Sequence, residues 1–463
     1  MKTIYKTLLS GFILCFFGQA FAAYTLPEYQ KTTLDNGLTV YLMEQKEVPL
    51  IDATVVFNAG ATRDGELAGL ATMTTENMLF GARKLNKNAF EEALEFVGAE
   101  FDTDVSLDDS RISASFAKKD QQQILGLLAD VVKAPSFDAT EFDKYKTRYL
   151  GALKRQKESP RNVIASYNNQ LIYGEHPYSN PVGGDAVSTE KATLDDLKSF
   201  YQGWFRPENA ALVIVGDFDA KAMLANIDGL FADWKGAGKA AKKTAFPVVE
   251  GFDKDRVLLV NKDDARETTF YIGGLGIPRS NVDFVALSVI NTVLGGRFTS
   301  WLNDELRVNS GLTYGARSRF SAMKHSGHFY ISTFTATENT EAAIDLALST
   351  YARLWEKGLD DATLKSAKAY VKGLFPPRYE TSGQLSGLLG DMFIYGFDES
   401  FINNFQSNVD KLDSESSKAL IAKYFPQDNL QFTIIGKSSE IKDIVKKYGD
   451  VTEVDITAPG FSF

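Results

Sequence analysis

Cysteine is almost missing from this chain: of 463 residues only Cys15 is one, and it lies in an apolar N-terminal run. The remainder therefore carries no disulfide and offers no thiolate as nucleophile or metal ligand. Histidine is nearly as scarce, with only His176, His325 and His328. Beyond the N-terminus no stretch is apolar enough to cross a membrane. No G-x-G-x-x-G follows a strand-like segment, and there is no phosphate loop, so a doubly wound nucleotide-binding sheet is disfavoured. Positive charge is in deficit: 50 basic side chains stand against 60 acidic ones, a net charge of −10. That argues against nucleic acid as a partner, because phosphates need a basic face. What is present is a soluble globular composition, 44% hydrophobic and 24% charged, long enough for two or three domains.

The first residues read as a targeting segment. Lys2 and Lys6 give a basic start, Leu8 to Phe17 is an apolar run, and Ala20-Phe21-Ala22 places small residues where a signal peptidase cuts. Residues 1–23 are thus expected to be a cleaved secretory signal, with the mature chain starting near Ala23 or Tyr24. The signal holds two of the basic residues and no acid, so the mature chain stands at −12. A secreted location, a periplasm above all, follows.

The mature chain contains one long repeat. Phe205-Arg206-Pro207-Glu208-Asn209 and Ala211–Gly216 recur as Phe425-Pro426-Gln427-Asp428-Asn429 and Gln431–Gly436, at an offset of 220. Leu38–Tyr41 and Leu258–Asn261 align at the same offset. A period this long is a duplicated domain. The expected division is a first domain over 24–234, a linker over 235–250 that opens with the small, basic run Lys235–Lys243, and a second domain over 251–463. Strand-like and helix-like runs mix without βαβ alternation, which predicts an α+β fold: in each half a mostly antiparallel sheet covered on one face by helices.

Several segments together resemble the pitrilysin, insulinase and mitochondrial-processing-peptidase family, the inverzincins. They are Leu34-Asp35-Asn36-Gly37-Leu38, Gly69-Leu70-Ala71, Gly81, Leu294-Gly295-Gly296-Arg297-Phe298-Thr299-Ser300, and Leu306-Arg307 through Gly311-Leu312-Thr313-Tyr314. The resemblance spans essentially the whole mature chain and implies a duplicated fold like that of mitochondrial processing peptidase and LuxS. In catalytic members, Gly-x-Ala runs straight into a zinc-binding His-x-x-Glu-His helix. Here those three positions hold Thr72, Thr75 and Glu76. The family's further glutamate ligand falls near Gly151-Ala152, where no carboxylate stands. The resemblance therefore implies no metal in this chain and zinc in a partner subunit. The three histidines do not make good the loss. His176 reads as a loop residue, and His325-Ser326-Gly327-His328, on a hairpin with Gly327 at its turn or a bulge, lacks further ligands.

What the resemblance retains is an Arg and a Tyr seven residues apart, Arg307 and Tyr314. In the family such a pair reaches across a cleft and donates to the substrate carbonyl as it becomes an oxyanion. A guanidinium fork and a phenol suit that task. Arg307 is expected in the last turn of a helix over Thr299–Asn309, with Gly311 in the left-handed conformation and Leu312–Tyr314 opening a strand. Gly295, Gly296, Arg297 and Phe298 are expected to line the path of a bound peptide, or else to form a plain helix-entry turn capped by Thr299 or Ser300. The resulting reading is a metal-free subunit of a heterodimeric zinc metallopeptidase. Its partner is a His-x-x-Glu-His chain of similar fold, and its substrate an extended peptide, for which addition to a sheet edge is one open mode. Two other readings stand beside it. One is a catalytically inert scaffold or peptide-binding protein of the same fold. The other is a self-sufficient hydrolase using Glu76, Glu91 and Glu92, which are more simply exposed helix charges.

Overall fold

The computed structural model describes residues 24–242 and 245–463; the expected signal segment lies outside them. Two six-stranded sheets organise the chain. The first half supplies β1 (Gln30–Thr33), β2 (Thr39–Glu44), β3 (Leu50–Phe57), a small ribbon of β4 (Gly81–Ala82) and β5 (Leu85–Asn86), then β6 (Glu100–Val105), β7 (Ser110–Ala117) and β8 (Ala210–Gly216). The second half supplies β9 (Arg256–Asn261), β10 (Glu267–Leu275), β11 (Arg317–Ala322), β12 (Gly327–Ala336), β13 (Gln431–Gly436) and β14 (Asp450–Asp455). The sheet orders are β1-β2-β8-β3-β7-β6 and β11-β12-β10-β13-β9-β14. Pairing is antiparallel except β2–β8 in the first sheet and the two neighbours of β9 in the second. The fold is thus α+β with two like sheets.

The registers refine the repeat. Thr39 opposes Ala211 in the first sheet and Arg256 opposes Gln431 in the second. The offset is 220 between β8 and β13 but 217 between β2 and β9. The 220 alignment of Leu38–Tyr41 is therefore corrected by three residues, an odd number that would have put every side chain on the wrong face.

One-sided coverage is also corrected: the central strands of each sheet are buried on both faces. Leu38, Val40, Leu42, Ile51, Val55 and Ile214 turn toward the first half's own helices. The opposite face, with Tyr41, Met43, Val213 and Val215, packs with Leu385, Leu388, Leu389 and Met392 of the Ser382–Tyr395 helix of the second half. In return the Pro160–Tyr173 helix of the first half lays Val163, Ile164, Tyr167 and Leu171 on Leu258, Val260 and Ile435 of the second sheet. The physical cause is in the strands themselves. Val-Leu-Leu-Val in β9 and Leu-Val-Ile-Val in β8 are continuous apolar runs, the mark of a strand with no solvent face. Polar contacts fix the exchange: Arg111 of β7 bonds Asp109 at 2.5 Å and Asp391 of the exchanged helix at 2.6 Å, and Ser386 bonds Thr54 at 3.0 Å.

The connecting segment is held at several points. Arg206 donates to the carbonyls of Ala237 and Gly238, and Asn429 to that of Phe252. The Phe246 ring stacks on His325 at 4.4 Å and beneath the Arg63 guanidinium.

Candidate functional site

The site is built on two π-helical turns and the strand that follows them. The Phe284–Asn291 helix ends in a π turn over Thr292–Gly296, and a short helix from Trp301 widens into a second over Asp304–Asn309. Such turns are rare and cluster at functional sites. Gly295 is required by packing: a Cβ there would sit 2.2 Å from the Ser318 amide nitrogen of β11. The glycine pair thus closes a helix rather than opening one, and Gly295 is buried while Gly296 is exposed. Helix entry at Ser300 uses no side-chain cap. Gly311 adopts the left-handed conformation, with φ of 66°.

Tyr314 does not open a strand. Residues 312–316 form a loop held from β12, where Thr335 donates to the Leu312 carbonyl at 2.8 Å and Thr333 to that of Gly315 at 2.9 Å. Two asparagines join the parts. Asn303 donates to the Phe298 carbonyl at 2.6 Å and accepts from the Ala316 amide at 3.3 Å. Asn291 donates to the Ser318 carbonyl and accepts from its hydroxyl. These contacts engage the backbone at Ala316, just before β11, and at Ser318 within it, so a peptide adding as a strand there would have to displace them.

Arg307, Tyr314, Gly295, Gly296, Arg297 and Phe298 all line one cavity of about 800 Å³. Tyr314 is 82% exposed, so its phenol faces solvent rather than core. Its ring packs at 6.4 Å from Phe334, which Arg161 of the first half covers at 3.5 Å. The Arg307 guanidinium rests over the exposed Phe298 ring at 4.7 Å. The cavity also takes in Arg317, Arg319 and Arg378, which the sequence reading passed over. The signal for the first two was the alternation Arg317-Ser318-Arg319, three residues past Tyr314.

The first half holds no comparable chemistry where the resemblance places a metal. Thr72 donates to the Val182 carbonyl at 2.6 Å and Thr75 to its own helix at Ala71. Gly69 and Gly184 meet so closely that a Cβ on either would clash with the other's backbone. Buried Asp64 accepts from the amides of Gly69 and Ala71 and starts the helix, and burial pushes its carboxyl well up. Glu76 is not an exposed charge. Burial raises its carboxyl, against the pull of Tyr145 and Arg148. Tyr145 and Tyr149 face it from the Ala139–Gln156 helix, while Ala152 is exposed. Glu91 and Glu92 are exposed. These residues do not fit a zinc ion: threonine hydroxyls already spent on carbonyls cannot replace imidazoles.

The histidines serve structure. His176 accepts from the Tyr178 amide, and buried His328 shares a 3.1 Å hydrogen bond with the Tyr173 hydroxyl. Among the described residues no group of three or more His, Cys, Asp or Glu is placed to hold a metal, and no helix is long and apolar enough to cross a membrane.

Comparison with known proteins agrees with this geometry. Residues 40–186 match the family described as insulinase, peptidase family M16, and residues 191–371 match the peptidase M16 inactive domain. The chain is 26% identical over 446 residues to the Helicobacter pylori protein named non-peptidase homolog YmxG, spanning 96% of this chain and 100% of that one. It is 23% identical over 396 residues to the zinc protease PqqE of the same organism, spanning 83% and 88%. Among solved structures, a peptidase M16 inactive domain from Pseudomonas fluorescens superposes with a TM-score of 0.82 at 27% identity, covering 89% of this chain and 98% of that one. The first half of the periplasmic protease PqqL from Escherichia coli superposes at 0.72 and 15% identity, covering 92% and 98%, a likeness of fold alone.

Proposed function

The chain belongs to peptidase family M16, and on that premise we propose that it is the metal-free subunit of a secreted, periplasmic heterodimeric zinc metallopeptidase. A partner of similar fold supplies the His-x-x-Glu-His helix and the zinc. This chain, divided into lobes 24–234 and 251–463, supplies Arg307 and Tyr314. The observation that carries the reading is a contrast within one molecule. Arg307 and Tyr314 stand open on a cavity with Arg297 and Phe298, whereas Thr72 and Thr75 are locked into structural hydrogen bonds.

In this role Arg307 contributes a fixed positive charge and a planar set of donors, with its orientation restrained by the Phe298 ring. Tyr314 contributes one hydroxyl donor on a ring supported by Phe334. Both would point at the carbonyl oxygen of a peptide held across the cleft, where negative charge develops. Asn303 sets the distance between their two segments. A second reading, an inert peptide-binding protein or scaffold, is supported by similarity to a Helicobacter pylori protein named a non-peptidase homolog.

Purified chain incubated with zinc and then dialysed separates these readings from a self-sufficient hydrolase. The expected result is no stoichiometric zinc by elemental mass spectrometry and no cleavage of unfolded peptides, with cleavage appearing when the His-x-x-Glu-His partner is added. Zinc at one equivalent together with cleavage by the chain alone would refute the proposal. Unchanged partner activity would favour the scaffold.

A further inference from the structure

The cavity around Tyr314 has a charge that neither the chain nor its fold calls for. Arg297, Arg307, Arg317, Arg319 and Arg378 line it, and no aspartate or glutamate does. This occurs in a chain with ten more acidic than basic residues. The arginine ion pairs among the described residues are made by Arg83, Arg111, Arg161, Arg206 and Arg353, none of which lines the cavity. Four of the five cavity arginines are exposed, and Arg297 is half-buried beside Tyr370 and Ser366.

The duplication provides an internal control. Asp102 opposes Ser113 and Asp104 opposes Arg111 in the first sheet; Arg317 opposes Ser332 and Arg319 opposes Tyr330 in the second. Tracing the registers through β3 and β10 makes Ser113 equivalent to Ser332 and Arg111 to Tyr330. Asp102 and Asp104 of β6 are therefore the counterparts of Arg317 and Arg319 of β11. The same edge strand is built with carboxylates in one half and guanidiniums in the other, so the fold does not require arginine there. Like charges gathered without partners destabilise a protein unless a ligand neutralises them.

We propose that this cavity binds extended peptides carrying carboxylates at alternate positions, so that the assembled peptidase selects acidic segments; this rests on the peptide-clamping role of the same site. Arg317 and Arg319 lie two apart on a strand, which places their side chains on one face roughly 7 Å apart. An extended peptide presents its own alternate side chains at that spacing. Each guanidinium donates paired N–H bonds to a carboxylate. The aromatic rings of Phe298, Tyr314 and Tyr330 provide apolar contact between the charges. A nucleic acid fits less well, because it needs an extended basic face and the chain as a whole carries ten more acidic than basic side chains.

The test uses the mature chain without partner and fluorescence anisotropy of three short labelled peptides of matched length. One has alternating Glu, one Gln at the same positions, and one Lys. The acidic peptide is expected to bind about tenfold or more tightly than the Gln peptide, and the Lys peptide more weakly still. The preference should fade at ~1 M salt, where screening shortens to about 3 Å. Arg317→Gln with Arg319→Gln should abolish it, while Asp102→Asn with Asp104→Asn in the first half should not, circular dichroism confirming that both variants fold. No binding, equal binding of the Glu and Gln peptides, full binding by the arginine variant, or equal competition by a single-stranded oligonucleotide overturns the proposal. Because no partner is present, such a failure leaves the catalytic-subunit reading standing. Conversely, partner-dependent cleavage indifferent to Arg307 would sink that reading without touching this binding result.

Discussion

At the scale of single residues, the chain separates groups that face solvent from groups that hold the fold, and histidine shows the second kind. His328 is fully enclosed, and burial, aided by Arg319, lowers its pKa to about 4. The unfolded chain titrates near the ordinary value of 6.5. Between those values the unfolded state takes up a proton that the folded state refuses. The stability from neutral His328 is therefore complete above pH 6.5 and is lost as pH falls through 4, by roughly 3 kcal/mol in all. Urea melts across this range should show stability dropping toward acid, with a shallower drop in His328→Gln. An identical slope in the variant would contradict the assignment. Sequence alone shows that His325-Ser326-Gly327-His328 lacks further metal ligands but not what the rings do instead, because their partners, Phe246 and Tyr173, lie far away in the chain.

At the scale of elements, the cavity depends on how two segments are tied together. Arg307 leaves from a π turn and Tyr314 from a loop, and Asn303 bonds both the Phe298 and Ala316 backbones around them. Asn303→Ala leaves those backbone groups without a partner, at about 1–3 kcal/mol of stability. The fall in kcat/KM of the assembled enzyme should exceed what Asn303→Asp, which keeps the acceptor oxygen, produces. Equal activity in wild type and Asn303→Ala would remove the asparagine from the account.

Much of this level was legible. The mix of strand-like and helix-like runs predicts an α+β fold, and two mostly antiparallel sheets with their helices realise it. The Pro160–Tyr173 helix was not seen, because its apolar face matches a sheet of the other half. The cavity's charge is hard to read from the sequence because a net negative total hides a local concentration, and only the β11 alternation betrays it. The strand assigned to Tyr314 became a loop because threonines of β12 satisfy its carbonyls.

At the scale of the whole molecule, exchange of helices makes the two halves one cooperative body. Residues 24–242 expressed alone would leave Met43, Val213 and Val215 without Leu385, Leu389 and Met392. That fragment should bind a hydrophobic dye and aggregate, and should regain solubility when the second half is co-expressed. In the intact chain Leu389→Ala should cost about 2–5 kcal/mol and lower a single transition shared by both lobes. Two separate transitions, or a soluble, dye-free fragment, would show that the lobes fold independently.

The duplicated body also explains how function could be divided between chains. Thr72 and Thr75 are tied into structural hydrogen bonds in the first half while Arg307 lines an open cavity in the second, and on the proposed reading that cavity would be this chain's share of a catalytic centre. Steady-state kcat/KM of the enzyme assembled with its zinc-bearing partner is the decisive quantity. Loss of one such donor elsewhere lowers turnover about a hundredfold to a thousandfold. Arg307→Ala and Tyr314→Phe in this subunit are expected to lower kcat/KM on that scale while assembly, followed by gel filtration, stays intact. Wild-type rates from a complex carrying both substitutions would contradict the account.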